Sequence, residues 1–352
     1  MSKKPILKDM IFNIASLMSI SGYEDYSAAK LDEYIGEYFD SHYRDAVGNV
    51  VYIKKCGKKN AAKILIDTHF DEIGMYVTDI KDGGFLTVIQ IGGLDTRILQ
   101  GAEVIIYGTR EIYGVIASTP PHLQQPSDEK KLCEVKDLYI DTGYSKEELS
   151  TFVRVGTPVG YKSVMTELKN GRITGKGFDN KACGACAVGA LAGLTADELC
   201  GDVYLLFSAH EETVNMGGAA VGAYNIDPDY AMVIDVNLGT TPDTKKYETV
   251  SLSEGVSITL SAVTDRKLTA KTIQMADRKG IKYQKCVSAS NTGTNTPAVN
   301  LVRSGIPVVD VGLPLRCMHT YSEVISLDDA EQTAALIASF VCERDIEEVF
   351  KR

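Results

Sequence analysis

The 352 residues predict an α/β protein whose mixed sheet, flanked by helices, is interrupted by a small inserted β-barrel. Three observations carry that expectation. Short, nearly all-apolar runs such as AKILIDT (62–68), VYLLFSA (203–209) and YAMVIDV (230–236) read as strands buried on both faces of a sheet. Helical segments separate them. From about Ile73 to about Val164 the texture changes: MYVTDI, FLTVIQI, AEVIIYG, EIYGVIAS and VRVGTPVGY recur as short β-branched runs punctuated by Gly and Asp. That is the pattern of a small antiparallel barrel. The expected division is therefore 1–72 and 165–352 for the α/β domain and 73–164 for the insert.

In chain order, residues 7–38 read as two helices separated by Ser19–Glu24. The apolar residues of the first are interrupted by Lys8, Asp9 and Asn13 and no small-residue cleavage site follows, so it reads as an amphipathic helix and not a signal peptide. Residues 46–55 and 62–68 read as strands, which puts His69 at a strand's carboxyl end, where open α/β sheets hold their ligands. Thr119–Lys131, with three prolines and several charges, reads as a loop of the insert. The α/β pattern returns at Gly175. Asp179–Leu194 is an expected helix rich in Ala and Gly, and so closely packed. After the strands at 203–209 and 230–236 come a strand at 257–263, a helix over Thr269–Lys279, a strand at KCVSA, a helix over Pro297–Ser304 and a strand over Pro307–Gly312. A long helix over Leu327–Val349 closes the chain, capped near Ser326 with Asp328 and Asp329 in its first turn.

Composition excludes several functions. The net charge of −10 comes without a basic cluster, which argues against a nucleic-acid partner. No apolar stretch approaches the roughly 20 residues of a membrane span. Eight scattered cysteines point to reduced thiols and a cytoplasmic setting. Cys183 and Cys186 form a C-x-x-C, but with no second pair they read as small apolar residues on a helix.

Five candidate metal ligands stand out by type and order: His69, Asp179, Glu212, Asp235 and His319, with Asp71 and Glu211 beside them. Two of the chain's five histidines fall in the set. Alone, each has an ordinary reading: Asp179 as a helix N-cap, Glu211-Glu212 as a solvated loop entry, His69 and Asp71 as a capped turn, His319 as a structural histidine. Asp235 is the exception, because a charge ending so apolar a strand needs a partner and a metal would serve. Together they match what two divalent ions need, which is about five such ligands with one carboxylate shared. Adjacent acids after a buried strand point in different directions, so one of Glu211 and Glu212 can hold a metal while the other faces substrate. Asp71, two residues past His69, is placed to hydrogen-bond the second nitrogen of its ring. His42, His122 and His210 carry no comparable signal.

Read together, DTHFDEIGMYV (67–77), GVIASTPPHL (114–123), DLYIDTG (137–143), GKGFDNKACG (175–184), SAHEETVNMGGAA (208–220), VIDV (233–236) and LRCMHTYSEVI (315–325) resemble the M42 family of metallo-aminopeptidases, the glutamyl and tetrahedral (TET) aminopeptidase group. SISGYE (19–24) and DAVGNV (45–50) also match, so the resemblance is collinear over nearly the whole chain. It implies a zinc-peptidase-like catalytic domain and a PDZ-like insert used in substrate access and assembly. It implies two divalent ions, zinc or cobalt with manganese also compatible, bridged by Asp179. His69 and Asp235 would complete one site, Glu212 and His319 the other. Glu211 would be the general base that takes the attacking water's proton, and Asp71 would orient His69. Peptides would be the substrates and a homo-oligomer, such as a dodecamer, the assembly. A deacylase or dipeptidase with the same ligands, or a non-catalytic scaffold, are the alternatives; a β-glucanase fits poorly in a chain without Trp. Two positions depart from the family: Asn295 where Asp is usual, and Glu254 near a usual Lys. With His210 they bear on substrate choice, and Glu254 is expected to disfavour acidic N-terminal residues if it faces the pocket.

Overall fold

The computed structural model describes residues 6–118, 120, 134–213, 215–245, 247–289 and 291–352. The expected loop Thr119–Lys131 lies, apart from Pro120, outside the described residues, as does His122. The chain opens with α1 (Leu7–Ala15) and α2 (Asp25–Ile35), then β1 (Ser41–Arg44), β2 (Val50–Lys54) and β3 (Lys63–His69). Next come β4 (Gly74–Ile80), β5 (Leu86–Ile91), β6 (Glu103–Tyr107), β7 (Glu111–Ala117), β8 (Tyr139–Asp141), the short α3 (Lys146–Leu149) and β9 (Pro158–Tyr161). After β10 (Thr166–Glu167) and β11 (Arg172–Gly175) follow α4 (Phe178–Ala192), β12 (Asp202–Ser208), α5 (Gly217–Ile226) and β13 (Tyr230–Leu238). The last third holds β14 (Val256–Ser261), α6 (Arg266–Lys279), β15 (Tyr283–Ser288), α7 (Thr296–Asn300), β16 (Val308–Arg316), β17 (Glu323–Ser326), α8 (Leu327–Val341) and α9 (Arg344–Phe350).

These elements form a mixed sheet in the order β1-β2-β12-β3-β13-β16-β17-β11-β10, with β14 and β15 branching from β16. Its centre, β12-β3-β13-β16, is parallel, so the carboxyl ends of these strands meet at one edge. Strand alternation sorts the core into layers. Ile64, Ile66, Leu205, Phe207, Met232 and Ile234 pack with α1, α4 and α8 on one face. Leu65, Leu206, Ala231 and Val233 pack with α5 and α7 on the other. Burial on both faces is why these strands carry so few polar residues. The small residues of α4 let it lie against the sheet: a Cβ on Gly184 would fall 2.4 Å from the ring of Phe207.

The strands between Gly74 and Tyr161 close into a barrel, β4-β5-β8-β7-β6-β9, with its own core of Met75, Val88, Val104, Ile106, Ile116, Ile140 and Val159. Closure leaves the barrel no free edge.

Three local expectations are corrected. The C-terminal helix is two: the backbone turns extended at Glu343 (φ −87°, ψ 103°), separating α8 from α9. Ser326 makes no side-chain cap; Asp329 instead accepts the N–H groups of Ser253 and Gly255 at 2.6 and 2.7 Å, spending its carboxylate on a neighbouring turn. Asp179 does not cap α4, since that position belongs to Gly177 at φ +65° and Asp179 itself has non-helical backbone angles.

Candidate metal centre

The sheet's carboxyl edge gathers the candidate ligands. His69 is the last residue of β3 and Asp235 lies in β13, while Glu211 and Glu212 follow β12 and Asp179 opens α4. His319 arrives on the connection between β16 and β17. All seven sequence-predicted residues come together here.

Asp179 sits between the two histidines. Its Oδ1 lies 3.0 Å from His69 Nε2 and its Oδ2 lies 3.3 Å from His319 Nε2. Around His69 Nε2 also stand Asp235 Oδ1 at 3.6 Å and Glu211 Oε2 at 3.7 Å. Around His319 Nε2 stands Glu212 Oε2 at 3.4 Å. His69, Asp179 and Glu212 offer one ligand atom each within 4.8 Å of one another. Both imidazoles are held by carbonyl oxygens, which only accept: His69 Nδ1 donates to Asp71 O at 2.9 Å and His319 Nδ1 to Gly93 O at 3.0 Å. With Nδ1 so engaged, each Nε2 is turned towards the carboxylates.

The electrostatics are those of acids crowded out of water. Burial pushes Glu211 up to about 8, with Asp235, Asp179 and Asp71 adding to the rise against the pull of His69. Burial raises Asp235 to about 6, and burial together with Asp179 holds Glu212 well above the carboxylate range. Burial alone would lower His69, yet Glu211, Asp235 and Asp179 keep its proton affinity well above the usual imidazole value. Asp179 runs the other way: against its burial, His319 and His69 hold it well below its usual value. Four buried or half-buried acids with, among the described residues, two imidazoles for partners are a donor set short of positive charge. Divalent cations fit it, and O and N donors of this kind suit zinc, cobalt or manganese.

The surrounding groups fix the ligands. The Asp71 carboxylate accepts the backbone N–H of Glu211 at 2.9 Å and of Glu212 at 3.1 Å, and lies 3.5 Å from His69 Nδ1, farther than its own carbonyl does. Glu323, in β17, is a residue the sequence reading did not single out. Its carboxylate accepts N–H groups from Phe178 (2.7 Å), Asp179 (3.2 Å) and His319 (3.0 Å), joining the start of α4 to the His319 loop. The one available signal was an acid four residues past that histidine. Glu72 turns away from the centre and pairs with the buried Lys176 and Lys181 at 2.8 and 3.0 Å.

Other positions fall outside the centre. His42 lies 3.7 Å from Asp32 on the surface, and His210 Nε2 lies 3.7 Å from Glu24. Asn295 is buried, donating to Asp67 at 3.0 Å and Ser208 at 2.9 Å. Glu254 is exposed and paired with Lys282 at 2.9 Å. Cys183 and Cys186 are buried free thiols on α4, within the core.

Residues 48–336 match the M42 glutamyl aminopeptidase family. The chain is 27% identical to a putative aminopeptidase of Acetivibrio thermocellus over 95% of its length and 98% of that protein's. Among solved structures it is similar to an aminopeptidase of the archaeon Desulfurococcus kamchatkensis, with a TM-score of 0.89, 31% identity and 98% of both chains covered. It is also similar to the Pyrococcus horikoshii TET1 peptidase, which can assemble into a tetrahedron or a large octahedral shell, with a TM-score of 0.84, 29% identity and coverage of 96% and 99%.

Proposed function

The chain belongs to the M42 glutamyl aminopeptidase family and is a peptidase of the hydrolase class, and we propose that it removes N-terminal residues from peptides at a two-ion centre with Glu211 as general base. The observation that carries this reading is the split of Asp179, whose two oxygens face different histidines 3.0 and 3.3 Å away, as a bridging carboxylate requires. His69 and Asp235 would share one ion with Asp179, and Glu212 and His319 the other. Bound ions of this class polarise a carbonyl and lower the pKa of water.

The chain's own residues supply the rest. Glu211 stands beside the proposed ligands, its Oε2 3.7 Å from His69 Nε2, where a carboxylate is placed to serve as a base. It takes the proton of the attacking water and returns it to the departing amine. Asp71 holds the Glu211–Glu212 backbone so that the base and its neighbouring ligand keep different directions. Asp71 also supplies, through its carbonyl, the tie that orients His69.

Further parts of the reading are residues 73–164 as a separate insert and a homo-oligomer, supported by the assembly of the Pyrococcus horikoshii relative. A dodecamer is the expected form, and a cytoplasmic setting fits the free thiols. No described helix is long and apolar enough to cross a membrane.

The experiment is metal counting beside hydrolysis. Aminoacyl-anilides should be cleaved with added zinc, cobalt or manganese, while acylated amino acids and carboxymethylcellulose are not. Asp179→Ala should bind neither ion normally; two ions at wild-type affinity in that variant would end the bridging assignment. Light scattering should give a mass well above the 38.2 kDa of one chain.

A further inference from the structure

His69 and His319 are held by different parts of the chain. His69 belongs wholly to the α/β core, with its side chain 1% exposed and its Nδ1 donating to the carbonyl of Asp71 at 2.9 Å. His319 is 31% exposed, and its loop is gripped by the barrel at three points. The carbonyl of Gly93, just past β5, accepts from His319 Nδ1 at 3.0 Å. The hydroxyl of Ser163, just past β9, donates to the carbonyl of Tyr321 at 2.7 Å. The ring of Tyr161, on β9, stands edge-on to that of Tyr321 with centroids 5.6 Å apart. From the core the loop receives the Glu323 carboxylate on the His319 N–H at 3.0 Å.

We propose that the barrel is a positioning device for His319, so that half of the metal centre is completed only when the barrel is docked. The Gly93 carbonyl selects the tautomer with the proton on Nδ1 and turns Nε2 towards Asp179 Oδ2 and Glu212 Oε2, 3.3 and 3.4 Å away. The approach leaves no room for a side chain. A Cβ on Gly93 would fall 2.9 Å from His319 Nδ1, and one on Gly92, at φ +74°, would fall 2.6 Å from Ile73 and 3.4 Å from Glu212 Oε2. The half formed by His69 and Asp235 has no such dependence, because both lie on strands of the sheet itself. Barrel and centre are thereby coupled: a shift of the insert loosens one ion and spares the other. The inference rests on the two-ion reading and adds that the two half-sites are held differently.

The test uses the full-length protein in its own assembly, stripped of metal and titrated with cobalt by calorimetry, with bound metal counted independently. Wild type should take two ions. Gly93→Ala should weaken one of them about 10- to 100-fold, the usual effect of losing a ligand's outer hydrogen bond, and leave the other within about twofold. Tyr161→Leu combined with Ser163→Ala should shift the same ion in the same direction without touching Gly93. Equal weakening of both ions would mark a merely structural role and overturn the proposal, as would two ions at wild-type affinity in both variants. A wild type that takes one ion would overturn the two-ion reading instead. Nitrogen-15 NMR of the imidazoles decides the positioning separately. In the zinc-loaded wild type the signal lost in His319→Gln should carry its ring proton on Nδ1, facing the Gly93 carbonyl, and a ring proton on Nε2 there overturns the proposal whatever the metal count.

Discussion

Asp71 meets Glu211 through the backbone: Asp71 Oδ1 accepts the Glu211 N–H at 2.9 Å, while its other oxygen takes the Glu212 N–H at 3.1 Å. One buried carboxylate therefore sets two successive residues, and with them the divergence of their side chains. Its carbonyl holds His69 at the same time. Asp71 is the point through which β3 and the segment after β12 are locked together at the site.

Asp71→Asn removes one of two acceptor oxygens and offers an NH₂ to a backbone donor. One buried N–H then goes unpaired, at about 1–3 kcal/mol. The expected result is a fall in kcat of about 10- to 100-fold, the usual size of a supporting-group effect, with KM little changed. Steady-state kinetics on a leucyl-anilide check it; a loss confined to KM would show that Asp71 acts on substrate binding and not on the Glu211–Glu212 segment.

The two glutamates should separate in their phenotypes. Glu211→Gln should keep its metal and lose about 10²–10⁴ in turnover, the usual weight of general acid–base catalysis. Glu212→Gln should weaken one ion, because its Oε2 lies 3.4 Å from His319 Nε2. Metal counting beside kcat decides this, and reversed phenotypes would reverse the roles.

The parts legible in the sequence are those whose burial left a mark on composition. β3, β12 and β13 are sandwiched between helix layers, so they read as apolar runs and bring His69, Glu211 and Asp235 to one edge. β1 has four exposed residues, and β10 only two, so neither carries a pattern to read. α5 hides in Gly217–Ile226 because glycine and alanine give no polar contrast around the helix. The identities of the candidate ligands are visible, but their supports are not. Whether Asp71 uses its carboxylate or its carbonyl on His69 is a matter of about half an ångström, 3.5 against 2.9 Å. Glu323 reads as an ordinary acid because the three N–H groups that bury it come from other segments. Gly92 and Gly93 read as a turn, and only the fold brings that turn to His319.

Glu254 bears on substrate choice only if it faces the pocket. It is exposed and its carboxylate pairs with Lys282 at 2.9 Å, with Lys282 also donating to Ser253 O. An exposed pair of this kind contributes no more than about 1 kcal/mol. Glu254→Lys should therefore leave the relative kcat/KM for Glu-, Leu- and Lys-anilides within about twofold of wild type. A several-fold gain for the glutamyl substrate would restore Glu254 to the pocket.

The centre should also make metal-free protein lose stability as pH rises. Burial pushes Glu211 up to about 8, Asp67 to about 7 and Asp235 to about 6, whereas carboxyls of the unfolded chain ionise near about 4. Between those limits the folded chain keeps protons that the unfolded chain has lost, so the free energy of unfolding falls with increasing pH. His69 acts with the same sign. Its proton affinity is raised, so its contribution is fully present below about 6.5 and disappears as pH climbs through the raised value. Asp179, held low, gives stability that is lost only in acid and so does not oppose this trend. The melting temperature of chelator-treated protein should therefore decline from pH 5 to pH 8. Divalent ions take the deprotonated ligands and gain affinity over the same range. With excess zinc or cobalt the decline should flatten or reverse. Scanning calorimetry at each pH, with and without metal, reads both slopes, and a metal-free melting temperature that climbs steadily to pH 8 would show that these acids are not held as a crowded, cation-seeking cluster.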